Sequence, residues 1–255
     1  MTEWYEKARE LYNAGKKEEA DKIIEEKSRI IAETAQDFFE RGIARRLLRN
    51  LNDALEDFKK CIELSPGYFE AYLHLGWTLS NLERYEEALK TFDKLIELKP
   101  DEMKGHHGRS QSLFTLKRYE EVIAYNEELV ERLPAFSGFW ELTRTAALNQ
   151  LGRHEEALNS VTKIKPEEIK PLPSYAYYLS LAETFCLLNR YDEALNALNE
   201  GMDKTREEEG CAPCFANNCW RNPYLEALRK PPYRERLEKI IGPKPKVSRK
   251  NRSTD

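Results

Sequence analysis

Residues 69–102 read FEAYLHLGWTLSNLERYEEALKTFDKLIELKPDE. Apolar side chains recur there at intervals of three and four: Tyr72, Leu75, Leu79 and Leu82, then Ala88, Leu89, Phe92, Leu95 and Ile96. That spacing predicts two amphipathic helices joined by a polar turn at Glu83-Arg84. Small Gly76 and Ala88 let the helices approach closely where they cross. Pro100 ends the second helix, because the residue before a proline is pushed out of α geometry.

The same design recurs on both sides of this stretch. Pro66, Pro100 and Pro134 stand 34 residues apart. Ala20, Ala54, Ala88 and Val122 keep that spacing, and Ala157 and Ala194 follow at intervals of 35 and 37. Small residues return at Ala8, Gly42, Gly76, Ser110 and Ala182, and large ones at Trp4, Phe38, Tyr72, His106 and Tyr178. The turn phrase also returns, as LERYEEAL, LKRYEEVI, LGRHEEAL and LNRYDEAL. One helical hairpin cannot bury its apolar stripe alone, so such units stack.

On these residues the chain resembles the tetratricopeptide repeat (TPR) family, whose pattern is W-x2-L-G-x2-Y, then A-x3-F, then P. Residues 69–102 supply Tyr72-x2-Leu75-Gly76-x2-Leu79, Ala88-x3-Phe92 and Pro100. The resemblance implies an all-α fold, a right-handed TPR superhelical solenoid of about six helix-turn-helix repeats plus a C-terminal helical cap. The units are 1–34, 35–68, 69–102, 103–136, 138–171 and 175–208. Arg109-Ser110 departs from the usual Leu-Gly, Asn126 replaces a large apolar residue, and the fifth unit ends early at Pro166.

Composition agrees and excludes several classes. Of 255 residues, 34% are charged and 40% hydrophobic, too apolar for a disordered chain. A net charge of −4 is not the strongly basic footprint of a nucleic-acid binder. No apolar run is long enough to span a membrane. The start, MTEWYEKARE, lacks a basic-then-apolar signal, and five cysteines form no even disulfide framework, so a cytoplasmic protein is expected.

Residues 209–243 are expected to form a Cys-containing helical cap, and 244–255 a disordered basic tail. Asn222-Pro223 is a helix-start signature, and Gly242-Pro243 a stop. Asn222, Pro223, Leu228, Arg229, Pro232, Tyr233 and Leu237 resemble the short two-helix tail that closes many bacterial TPR arrays.

No Gly-rich phosphate loop or nucleophile elbow is present, so an enzyme is not expected. Cys211, Cys214 and Cys219 raise an alternative, a metal- or redox-responsive module. A structural zinc would need a fourth ligand recruited from elsewhere, Cys186 or a surface carboxylate, so apart from that zinc alternative no cofactor is expected.

The resemblance places the first helix of each unit on a concave groove. The residues at its lining positions are Tyr5, Arg9, Phe39, Ile43, Leu73, His74, Trp77, His107, Gln111 and Phe114. Aromatics with scattered polar groups suit a peptide or a partner helix, so the expected function is a non-catalytic adaptor. Self-association is the competing use of that surface. TPR co-chaperones that hold the acidic tails of heat-shock chaperones carry a Lys, Asn and Arg clamp on paired inner positions. Here those pairs are Tyr5/Arg9, Phe39/Ile43, Leu73/Trp77 and His107/Gln111, so chaperone-tail capture is not expected.

Overall fold

A computed structural model describes residues 3–166, 169, 171–207 and 211–245, with Glu207 and Cys211 described by their backbone alone. The expected tail beyond residue 245 therefore lies outside the described residues. Described residues are helical or in turns, and they fall into two compact units, residues 1–118 and 119–255.

The first unit contains α1 (Glu3–Asn13), α2 (Lys17–Ser28), α3 (Ala35–Leu47), α4 (Leu51–Leu64), α5 (Phe69–Asn81), α6 (Tyr85–Leu98) and α7 (Met103–Thr115). Each helix packs on its successor in the chain. Turns inside the repeats share one geometry throughout the protein. A residue with positive φ stands at Gly15, Arg49, Glu83, Lys117, Gly152 and Asn189. The next residue donates its N–H five residues back, as in Arg84 to the Leu79 carbonyl at 2.9 Å and Asn50 to Arg45 at 2.9 Å. This Schellman closure satisfies carbonyls that the helix end would leave bare.

Packing follows the period. Phe58 and Phe92 are fully buried, and each ring enters a gap left by glycine. A β-carbon on Gly42 would stand 2.8 Å from the Phe58 ring. Asp57, only 3% exposed, is held by two arginines of α3. Arg41 reaches it through Nε and Nη2, the latter at 2.7 Å, and Arg45 Nη1 reaches its other oxygen at 2.8 Å.

The second unit runs through α8 (Tyr119–Arg132), a 3-10 turn at Pro134–Phe136, α9 (Ser137–Gln150), α10 (His154–Val161), α11 (Tyr175–Leu187) and α12 (Tyr191–Glu207). It ends with α13 (Cys211–Arg221), a 3-10 segment Pro223–Arg229 and α14 (Arg234–Ile241). Helix α10, at 8 residues, is shorter than the 14 of α6, in keeping with the shortened fifth repeat. Asn222 starts the next segment as expected, its Oδ1 accepting from the Tyr224 N–H at 2.9 Å. That segment winds as a 3-10 helix of seven residues rather than an α-helix, and it ends just before Pro231-Pro232. The Phe215 ring closes on Gly201, and Trp220 Nε1 donates to the Gly242 carbonyl at 3.1 Å.

Candidate functional site

Helix α3 packs against α5, and α5 against α7, so first helices of successive repeats adjoin one another in the first unit. Their positions divide by depth. Phe39 (8% exposed), Ile43 (6%) and Leu73 (8%) form a floor. Tyr5, His74, Trp77, His107 and Phe114 are half-buried, and Arg9 and Gln111 are exposed.

Two ring contacts join neighbouring repeats across this face. The Phe39 ring meets His74 edge-on at 5.5 Å, and His74 stacks on Phe58 at 5.8 Å. Trp77 meets His107 edge-on at 5.5 Å and rests on Phe92 at 5.2 Å. Around Phe39 the wall continues to Tyr68, 4.9 Å away. Arg9 pairs with Glu6 at 2.5 Å, and the Gln111 amide turns toward Thr115 Oγ1 at 3.5 Å.

Burial pushes the His74 imidazolium down to about 3, and the charges of Arg46 and Lys104 add to that push. Burial also lowers His107. Arg46 itself is lowered by burial, with Tyr5 opposing the shift. Its Nε is buried without a hydrogen-bond partner, as is His74 Nδ1. Arg46 is the residue that sequence reasoning passed over. Its signal was a third arginine in the run Arg41, Arg45, Arg46, of which only the first two bind Asp57.

In the second unit the chain itself covers part of α11. The segment Pro223–Arg229 packs on α11. Asn222 Nδ2 donates to Glu183 Oε1, and the Gln150 amide donates to the Tyr224 hydroxyl. Burial raises Glu183 to about 7, with the Asn222 bond partly opposing it. Arg229 ties the segment back through the Cys219 carbonyl at 3.0 Å and the Asn222 carbonyl.

Cys219 is buried and Cys214 exposed on α13, so these two thiols point to different surroundings. The side chain of Cys211 lies outside the described residues. Burial pushes the Cys219 and Cys186 thiols up to about 12, which keeps both protonated. Among the described residues, no group of three His, Cys, Asp or Glu is placed to hold a metal.

The family model for the tetratricopeptide repeat matches residues 47–107. The fold is that of the tetratricopeptide repeat. TPR structures of the same fold come from several bacteria. MamA (residues 41 to the end) from Desulfovibrio magneticus is 20% identical, with a TM-score of 0.55, 71% of this chain covered and 100% of that one. TTC0263, a thermophilic TPR protein of Thermus thermophilus, is 19% identical with a TM-score of 0.52, covering 72% and 97%. A TPR protein from Parabacteroides merdae is 17% identical with a TM-score of 0.60, covering 78% and 76%. No curated protein sequence matches significantly. The TPR fold is a scaffold for protein–protein interaction, and among the described residues no helix is long and apolar enough to cross a membrane.

Proposed function

We propose that this protein is a non-catalytic adaptor that binds a peptide segment or partner helix on the α1, α3, α5 and α7 face. The observation that carries this reading is the half-exposed Trp77, seated on Phe92 and flanked by His107. An aromatic fixed in place before binding loses little freedom when a partner covers it, which is how interface anchors gain their weight. Phe114, also half-exposed, extends the apolar surface along α7. The second unit offers no comparable surface at α11, because Asn222 to Arg229 lie on it.

The test is comparative capture with full-length wild type and Trp77→Ala, after circular dichroism shows both equally helical. A protein retained by wild type and lost by the variant supports the adaptor role. Equal capture by both would remove this face from the function.

A further inference from the structure

A cleft of about 400 Å³ opens in the first unit where α4 and α6 flank α5. Its floor is apolar, made by Ile62, Tyr72 and Leu75, and its walls carry Lys59, Lys90 and Lys94. Tyr72 and Leu75 stand on the side of α5 away from Leu73 and Trp77, so this cleft is separate from the face described above.

The repeat shows why the cleft is open here. Leu75 takes the place that Arg41 holds one repeat earlier and Arg109 one repeat later. Arg41 binds Asp57 of the helix that follows it, and Arg109 Nε reaches Asp93 of the helix that precedes it at 2.8 Å. Beside Leu75 the places of those two aspartates are taken by Thr91 and Lys59, and both line the cleft. Where the neighbouring repeats close this place with an arginine–carboxylate pair, the middle one has neither partner and sets a lysine in place of an acid.

The lysines are free to turn outward. Lys59 and Lys94 pair along their own helices, with Glu56 at 3.0 Å and Glu97 at 2.7 Å, and exposed pairs of that kind hold weakly. Lys90 is exposed and, among the described residues, holds no ion pair. We propose that the cleft receives an acidic segment of a partner protein. Its apolar side chain enters over Ile62, Tyr72 and Leu75, and its carboxylates reach Lys59, Lys90 and Lys94. A bilayer is the poorer occupant, because it responds to summed charge, and Glu56, Glu63 and Glu97 offset the lysines. A peptide places its acids one by one, beside the cations and away from the glutamates.

A phage-displayed random peptide library selected on the full chain tests this, with winners sorted by their dependence on Trp77→Ala. The expected winners ignore Trp77→Ala and carry Asp or Glu beside Leu, Ile or Phe. A synthesised one should lose about tenfold in affinity with Lys90→Glu, which sets like charge against its acid, and nothing with Lys22→Gln on α2. Leu75→Arg with Lys59→Asp, which restores the pairing seen at Arg109 and Asp93, should abolish binding while circular dichroism stays unchanged. Lys90→Glu decides the matter if that double variant misfolds, because Lys90 is exposed. Winners without acids, acidic winners indifferent to these variants, or no enrichment over an unrelated protein would overturn the proposal. Winners that all need Trp77 would overturn it too, while upholding the adaptor reading. Co-sedimentation with phosphatidylserine vesicles completes the test: binding that Lys90→Glu abolishes, with no peptide enriched, would assign the cleft to a membrane surface instead.

Discussion

Phe92 and Gly108 are in such close register that a β-carbon on the glycine would stand 2.3 Å from the phenylalanine ring. Gly76, on the preceding first helix, meets the same ring, with its added β-carbon 2.6 Å away. Phe92 is thus held between α5 and α7, and Trp77 of the proposed binding face rests on it at 5.2 Å. The core therefore sets the position of the proposed anchor. Gly108→Ala is expected to cost about 1–3 kcal/mol, as overpacking does, and to weaken any ligand that depends on Trp77. Urea titration of the variant measures the first; a midpoint equal to wild type would mean the ring has room to move.

Asp57 is expected to be the most sensitive polar residue of the first unit. Removing its charge leaves Arg41 and Arg45 without their shared counter-ion, Arg41 keeping the Ile30 carbonyl at 3.1 Å and the face of Phe38. Breaking one side of a buried ion pair costs about 3–5 kcal/mol. Because the arginines retain some exposure, Asp57→Asn should fall at the lower end, read as a loss of thermal stability. An unchanged Tm would show that water replaces the carboxylate at no cost.

The two units should respond to pH in opposite directions. His74 is held near 3 when folded, against 6.5 for the free group. As pH falls from about 6.5 toward 3, the unfolded chain takes up a proton that the folded one refuses, so stability of the first unit declines. Glu183 is raised to about 7 when folded, from 4.5. As pH rises from about 4.5 to 7, the unfolded chain releases a proton that the folded one keeps, so the second unit weakens. Each slope approaches about 1.4 kcal/mol per pH unit. Amide exchange measured by unit across that range would show the divergence. His74→Leu and Glu183→Gln should flatten their own unit's slope, and failure to do so would assign it to other groups.

Two glycines with open space around them should give opposite results on substitution. Gly152 has a φ of +74°, whereas Gly67 does not lie in the left-handed region, and neither has an atom within 4 Å of an added β-carbon. Gly67→Ala should stabilise by about 0.4–1 kcal/mol by restricting the unfolded chain. Gly152→Ala should destabilise by about 1 kcal/mol or more, because the left-handed conformation crowds its new β-carbon. Matching signs in the two melting curves would contradict the turn geometry.

The same turn shows how far the sequence could be read. Its place was visible in the recurring Glu83-Arg84 and its counterparts. Its left-handed residue was not, since Arg49, Glu83, Lys117 and Asn189 occupy it without being glycine. Local packing and the Schellman bonds impose that conformation on side chains that would not choose it.

Periodicity alone determined the helices, their pairing in sequence and the small residues Gly76 and Ala88 at the crossing, because these depend on residues close in the chain or one repeat apart. What only the tertiary structure decided is which inner positions are surface. Phe39, Ile43 and Leu73 became floor while Trp77 and Phe114 stayed partly open. The Nε of Arg46 is buried without a hydrogen-bond partner, and Glu183 accepts from Asn222 of the C-terminal segment. Each of these depends on depth and charge matching between helices, and a helical period records the face of a residue but neither its depth nor its partner.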